Sequence, residues 1–262
     1  MIAAWAACVL SLELLAMPPD EVVARFEERT YAYTGGEYEN EEFRYRLLPP
    51  AAVEPGKKYP VVLFLHGAGE CGTDNRLQLL YLPAQLSQPD WREKYPCYLI
   101  APQCRPDKQW VNVPWGDVES APLGEPSDQL QAALGMLRQV LEDLPVDRNR
   151  VYLTGLSMGG FGCWDLAARQ PELFAAVAPI CGGGDEAQAA RLASLPIWAF
   201  HGADDDAVPV VRTRRMIEAV RAAGGEPRYS ELEGVGHNSW TPAYSDPAGL
   251  IPWMFEQNRA ER

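Results

Sequence analysis

The sequence feature that most constrains this chain is the stretch Gly155-Leu-Ser-Met-Gly159. An apolar run with strand character (150–154) precedes it, and a segment with helical spacing (161–168) follows it. A serine between two glycines at a strand-to-helix turn is typical of a nucleophile elbow, because so sharp a turn leaves no room for flanking side chains. The pattern predicts that Ser157 is a nucleophile and that the N–H of Met158 faces a developing oxyanion. A helix N-cap serine in a glycine-rich turn is the simpler alternative.

A glycine-rich loop after an earlier apolar run offers a second backbone donor. Residues 59–65 are continuously apolar, which suits a strand buried on both faces, and His66-Gly-Ala-Gly-Glu70 follows directly. In open α/β sheets, loops at the carboxyl ends of central strands hold ligands. We therefore expect the N–H of Ala68 to be the second oxyanion-hole donor, beside Met158. A simple tight turn is the alternative.

One of the three histidines is placed to activate the serine. A serine hydroxyl needs a base within hydrogen-bond reach, and that base is oriented by a third group. For this kind of elbow the expected chain order is serine, acid, histidine, and only His237 follows the acidic run Asp204-Asp-Asp206. His237 is thus the predicted base, whereas His66 and His201 are expected to be structural. Adjacent side chains cannot all face one imidazole, so the run leaves open which aspartate is the acid.

Three tryptophans are candidates for lining the substrate pocket. Trp110 and Trp115 lie in a long connection with several prolines (103–126), and so long a loop in a compact domain is usually functional. Trp240 follows His237 by three residues. Together they suggest a preference for aromatic acyl groups of the feruloyl kind. Tryptophan that merely packs beside the site is the alternative.

Alternating strands and helices without internal repeats predict an α/β domain with a mostly parallel sheet. The expected strands are 42–48, 59–65, 97–102, 150–154, 174–181, 196–200 and 228–232, and the expected helices are 20–29, 77–86, 127–144, 161–168, 210–223 and 250–257. The catalytic domain is expected to span 42–262, preceded by an N-terminal segment (1–41) that ends in a polar connection (31–40). The short gap between residues 181 and 196 leaves little room for a lid.

The charge balance argues against one class of partner. Lys and Arg number 23 and Asp and Glu 36, which gives a formal net charge of −13. Nucleic acid needs a basic surface, so it is not an expected partner. The sequence has neither a nucleotide-binding glycine loop nor metal-ligand spacing, so no cofactor and no metal are expected. The expected partner is a small-molecule ester, and the oligomeric state is left open.

The apolar start of the chain (2–16) allows two interpretations. It suits a signal-peptide core but carries Glu13 and has no basic residue before it, and it is too short for stable membrane insertion. A packing helix, and with it a cytoplasmic location, is slightly favoured over secretion or a periplasmic location. Six cysteines are too sparse for a disulfide framework. If the chain is exported, a bridge between Cys71 and Cys104 is the pairing to consider.

Four motifs in order resemble those of α/β-hydrolase serine esterases: Leu65-His-Gly-Ala-Gly-Glu70, Gly155-Leu-Ser-Met-Gly159, Phe200-His-Gly-Ala-Asp-Asp-Asp-Ala-Val-Pro209 and Gly234-Val-Gly-His237. The groups in question are the carboxylesterases and acyl-protein thioesterases, the polyhydroxybutyrate depolymerase and feruloyl esterase-like enzymes, and the catalytic domain of prolyl oligopeptidase. The resemblance covers residues 42–258 and implies an α/β-hydrolase fold. It also implies Asp205 as the acid, with Asp206 as the fallback, and Ala68 as an oxyanion donor.

The activity that this resemblance implies is hydrolysis of carboxylic esters by a Ser-His-Asp triad through an acyl-enzyme. The elbow departs from that of dienelactone hydrolases, which use cysteine where Ser157 stands. A serine peptidase of the prolyl oligopeptidase type, acting on short peptides, is one alternative, although a propeller-sized N-terminal segment is missing. A non-catalytic binding protein built on the same fold is the other.

Overall fold

The computed structural model describes residues 17–245 and 249–261. The predictions for the apolar start of the chain (2–16) therefore lie outside the described residues. Within the described ranges, no helix combines the length and the apolar character needed to cross a membrane.

The strands are β1 (Glu27–Gly35), β2 (Tyr38–Leu48), β3 (Tyr59–Leu65), β4 (Tyr98–Pro102), β5 (Val146–Leu156), β6 (Ala176–Ile180), β7 (Trp198–Gly202) and β8 (Arg228–Leu232). In the described part of the chain they form one eight-stranded sheet in the order β1-β2-β4-β3-β5-β6-β7-β8. The pairings of β2 with β1 and with β4 are antiparallel, and all the others are parallel. The predicted mostly parallel sheet is confirmed.

The helices are α1 (Asp20–Val23), α2 (Leu82–Leu86), α3 (Pro89–Lys94), α4 (Asp128–Asp143), α5 (Met158–Arg169), α6 (Ala189–Leu192), α7 (Val211–Ala222), α8 (Trp240–Ser245) and α9 (Leu250–Glu256). They cover the two faces of the sheet and bury an apolar layer on each. The central strands β3, β4 and β6 are buried at every residue, which is why their sequences are continuous apolar runs. The helix predicted over 127–144 is confirmed as α4, and Ser127 caps it by accepting the N–H of Leu130.

The register of the central strands places the catalytic candidates at one edge of the sheet. In the β3–β5 pairing Leu65 lies opposite Gly155. The loops that leave these two strands, one carrying Ala68 and the other Ser157, therefore begin side by side. The loop after β7 carries the aspartates and the loop after β8 carries His237, at the same carboxyl-terminal edge.

Two predictions for the early part of the chain are wrong. The helix expected over 20–29 ends at Val23, and the polar connection expected over 31–40 is the hairpin of β1 and β2, which pair from Glu27–Leu47 to Gly35–Tyr38. The polar composition reflects an edge strand that is largely exposed rather than a loop. The expected domain boundary at residue 42 falls inside β2, and the division itself stays a prediction.

The helix predicted over 77–86 is also interrupted. A short 3₁₀ turn covers Leu77–Leu79, and α2 begins only at Leu82. Between them Tyr81 has φ 63° and ψ −119°, a conformation that a helix cannot contain. Apolar spacing alone does not reveal such a break.

Candidate active site

Ser157 stands on a strained turn between β5 and α5. Its φ is 52° and its ψ is −118°, a region that residues with side chains rarely occupy. The flanking glycines permit this turn. A Cβ on Gly159 would lie 1.9 Å from the carbonyl oxygen of Leu65, and one on Gly155 would lie 2.5 Å from that oxygen. Close approach of β3 to the turn thus requires glycine at both positions.

His237 connects Ser157 to Asp205 by hydrogen bonds. Nε2 of His237 lies 2.9 Å from Oγ of Ser157, and Nδ1 lies 2.8 Å from Oδ2 of Asp205. A carboxylate only accepts, so Nδ1 carries the proton and Nε2 is left as the acceptor for the serine hydroxyl. The arrangement can remove a proton from Ser157 as its oxygen forms a bond to carbon.

The hydrogen-bond pattern distinguishes Asp205 from its two neighbours. Oδ1 of Asp205 accepts the N–H groups of Ala207 and Val208 at 2.9 and 2.8 Å, while Oδ2 faces the imidazoles of His237 and His201. The side chain of Asp205 is fully buried, whereas Asp204 and Asp206 are exposed. Only Asp205 of the three can therefore orient His237.

These contacts also keep Asp205 ionised. Burial by itself raises the pKa of this carboxyl, but hydrogen bonds from His201 and His237 and the backbone N–H of Val208 outweigh it, and the net pKa lies well below the usual value. A negative charge facing Nδ1 stabilises the imidazolium that forms when His237 takes a proton.

Ala68, the predicted oxyanion-hole donor, lies in the loop after β3. His66 is fully buried and fixes the loop: its Nδ1 donates to the carbonyl of Gly67 at 2.6 Å, and its Nε2 accepts the N–H of Cys104 at 2.9 Å. Burial lowers the pKa of His66 to about 4, so the ring is neutral. Ala68 then opens a 3₁₀ turn that ends at Glu70. In the turns and loops of the described chain, the N–H groups of Ala68 and Met158 donate to no backbone carbonyl.

Glu70 is the last residue of this 3₁₀ turn, and its side chain is buried. It is 3% exposed, and its Oε2 is buried without a hydrogen-bond partner among the described residues. Burial raises its pKa to about 7, although the nearby backbone N–H groups of Gly67 and Glu70 oppose this shift. A carboxyl that changes charge near neutral pH therefore lies two residues from Ala68.

The prediction for Trp110 as a wall of the substrate pocket is wrong. Trp110 is 1% exposed, and its Nε1–H donates to the carbonyl of His66 at 3.0 Å. Its own carbonyl accepts the hydroxyl of Ser127, which caps α4. The ring packs edge-on against His66, with centroids 5.1 Å apart. Trp110 thus packs against the loop that carries Ala68 and is not exposed to a substrate.

The other two tryptophans lie nearer the surface of the site. The ring of Trp240, at the start of α8, stands at 85° to the imidazole of His237 with centroids 5.4 Å apart. On its other side Trp240 meets Tyr81, at 5.5 Å and 63°. Trp115 is half-buried against the core, and its neighbour Gly116 lies close to Ala207 in the acid loop. Whether Trp115 and Trp240 bind substrate stays a prediction.

Sequence reasoning missed two residues of this site. Tyr81 lies beside Trp240 in an unusual backbone conformation, and no local sequence pattern predicted that conformation. The contact of His201 with Asp205, at 3.1 Å, was missed because the residue was assigned only a general structural role. Its spacing of four residues before Asp205 was the available signal.

Comparison with protein families finds a match between residues 120–246 and the dienelactone hydrolase family. This segment contains Ser157, Asp205 and His237. A comparison with curated proteins found no match.

Among solved structures, a thermostable esterase is 39% identical to this chain with a TM-score of 0.82, over 91% of this chain and 64% of the esterase. The chain thus spans slightly less than two thirds of that protein. A ferulic acid esterase has a TM-score of 0.59 at 19% identity, over 88% of this chain and 97% of its own. An acylaminoacyl peptidase of Pyrococcus horikoshii has a TM-score of 0.58 at 17% identity, over 82% and 38%. The predicted fold class is confirmed.

Proposed function

We propose that this chain, which has an α/β-hydrolase fold, is a serine hydrolase that cleaves carboxylic esters. One observation carries the proposal: Ser157, which stands on a strained strand-to-helix turn, is hydrogen-bonded to His237, and His237 is hydrogen-bonded to Asp205. The family match and the likeness to an esterase support the same class of reaction. No metal or cofactor has a role in this proposal.

In the proposed reaction His237 takes the hydroxyl proton while Oγ of Ser157 attacks the ester carbonyl carbon. The N–H groups of Ala68 and Met158 donate to the carbonyl oxygen as it becomes negative. The bond to the alkoxy oxygen then breaks, and His237 passes its proton to the leaving alcohol. Water, deprotonated by His237, attacks the acyl-enzyme and releases the acid. Asp205 holds His237 in the required tautomer throughout.

The proposed substrates include esters with an aromatic acyl group. Tyr81 and Trp240 form an adjacent aromatic pair beside His237, and Trp240 contacts the imidazole directly. An aromatic face next to the base can hold a planar acyl or leaving group by stacking. Tyr81 is held in a conformation that costs about 1–3 kcal/mol, and strain of this kind is often retained at ligand sites.

The aromatic preference is tested by Trp240→Leu. We expect this variant to lose about tenfold more kcat/KM on methyl ferulate than on nitrophenyl acetate. Trp91→Leu is the matched control, because Trp91 packs against Tyr95 on α3. Equal losses on both esters would remove the aromatic preference and leave the ester hydrolase.

Hydrolysis itself is tested with nitrophenyl acetate, butyrate and octanoate and with methyl ferulate, using wild type and Ser157→Ala. We expect wild-type turnover that the variant loses. Ser120→Ala is the matched control, because Ser120 bonds Glu186 in another loop. Peptide anilides are included, because turnover of amides without turnover of esters would replace the esterase by a peptidase. Absence of both activities would favour a binding protein.

A further inference from the structure

Cys71 and Cys104 are neighbours in the folded chain, although their sequence positions are far apart, and the thiol of Cys71 lies 3.9 Å from the carbonyl of Lys108. Their backbones are also joined, since the N–H of Gly72 donates to the carbonyl of Cys104 at 3.0 Å. The other described cysteines, Cys97, Cys163 and Cys181, are buried. Cys71 is only partly buried, whereas Cys104 is fully buried.

The two cysteines are hydrogen-bonded to opposite ends of the loop that carries Ala68. The N–H of Cys71 donates to the carbonyl of Ala68 at 3.3 Å and ends the 3₁₀ turn. The N–H of Cys104 donates to Nε2 of His66, at the start of the same loop. A bond between the two sulfur atoms would therefore tie this loop to the end of β4.

A polar cleft lies beside the two cysteines. Its volume is about 270 Å³, and its walls include Gly72 and Gln103, the chain neighbours of Cys71 and Cys104. Its wall carries both signs of charge, Glu41 and Glu42 beside Arg44 and Arg105, and Arg105 is paired with Glu41 at 2.8 Å. The cleft has room for the end of a small disulfide such as oxidised glutathione.

We propose that Cys71 and Cys104 form a reversible disulfide that fastens the Ala68 loop when the protein meets a low-molecular-weight disulfide oxidant. The sulfur of Cys71 attacks the oxidant as a thiolate, forms a mixed disulfide and expels one thiolate, which takes up a proton. Cys104 then gives up its proton and attacks the sulfur of Cys71, expelling the second thiol. Two protein thiols lose two electrons and two protons, and the oxidant leaves as two thiols.

The chemistry of the two thiols suits this order. A hydrogen bond from Cys104 lowers the pKa of Cys71, whereas donating it raises the pKa of Cys104. Cys71 is thus the attacking thiol and Cys104 the resolving one. By contrast, burial raises the pKa of Cys97 and of Cys181 to about 12 and makes both poor nucleophiles.

The bridge is tested by mass spectrometry of the whole folded chain, equilibrated with oxidised or with reduced glutathione and then alkylated. Trypsin leaves Cys71 in peptide 59–76 and Cys104 in peptide 95–108. The second peptide also contains Cys97, so Cys97→Ala is analysed in parallel. We expect the two peptides to be linked after oxidation in wild type and in Cys97→Ala, and separate in Cys71→Ser. Separate peptides in oxidised wild type, or a link that Cys97→Ala abolishes, would overturn the proposal.

A second measurement tests whether the thiols are already positioned for the bond. The bridge closes a long loop between two segments whose backbones are already hydrogen-bonded, so we expect oxidised wild type to melt about 5 °C or more above the reduced protein. Cys71→Ser should melt at one temperature in both buffers. A linked protein that melts below the reduced one would contradict the positioning. Neither readout depends on ester hydrolysis, so the inference and the proposed function can fail separately.

Discussion

Asp205 and His201 are in direct contact, with Nε2 of His201 3.1 Å from the carboxylate oxygen that also bonds His237. His201 is itself held at both ring nitrogens, by Thr213 at 2.7 Å and by the carbonyl of Val208 at 3.0 Å. It is fully buried, whereas the side chain of His237 is 22% exposed. The buried His201 thus holds the carboxylate of Asp205 in place, while His237 lies between that carboxylate and Ser157.

The two histidines should respond differently to replacement. His237→Ala is expected to lower kcat at least about a thousandfold with little effect on stability, because it removes the base from a partly exposed position. His201→Ala should lower the free energy of unfolding by about 2 kcal/mol, since it leaves buried groups unpaired, and lower kcat about tenfold or less. Ester kinetics and urea unfolding of both variants measure this. If His201→Ala lost as much activity as His237→Ala, His237 would no longer be distinguished as the base.

Asp205→Asn is expected to lower kcat about ten-thousandfold. An amide can donate to Nδ1 and thereby favour the wrong tautomer of His237. Asp206→Asn is the matched control, because this neighbour is exposed, and its kcat should stay within about twofold of wild type. The reverse result would move the acid to the fallback position.

Strain at the elbow predicts an effect on stability. Ser157 has φ 52°, a region that glycine adopts with less strain than alanine. Ser157→Gly should therefore unfold with about 1 kcal/mol more free energy than Ser157→Ala. Both variants lack the hydroxyl, so the contact with His237 cancels in the comparison. Equal stabilities in urea would mean that the turn stores no strain.

Glu70 predicts a dependence of stability on pH. Burial raises its pKa to about 7, above the unfolded value near 4.3, so the protonated form is favoured by folding. Its contribution is fully present below the unfolded pKa and is lost as the pH rises through the folded pKa. Between pH 5 and pH 8 wild type should lose about 2–4 kcal/mol more stability than Glu70→Gln.

The control for Glu70 is Glu256→Gln, which replaces an exposed carboxylate on α9. Urea unfolding at several pH values should give this variant the same pH dependence as wild type. If the pH dependence of Glu70→Gln also matched that of wild type, burial would not raise the pKa of Glu70 into this range.

The features that could be predicted from the sequence are those with a local sequence pattern. The elbow around Ser157 was predictable because two glycines and a serine follow a buried strand and precede a helix. The meeting of Ser157, the aspartate run and His237 followed from chain order in parallel sheets. These signals require only that strand ends lie at a common edge.

Other features depend on contacts that spacing does not encode. Choosing Asp205 from the residues alone was impossible, since burial and four hydrogen bonds distinguish it from its neighbours. Trp110 was misplaced because its loop folds inward to His66. The first strand was missed because an exposed edge strand has the composition of a connection.

The central claim is that Ser157 is a nucleophile activated by His237, and labelling with a fluorophosphonate tests it most directly. The reagent phosphonylates activated serines, and trypsin isolates Ser157 in peptide 151–169. We predict one label per chain, in that peptide at Ser157, for wild type, and none for Ser157→Ala or His237→Ala. Ester hydrolysis that continues while Ser157 remains unlabelled, or a label on another serine, would contradict the account.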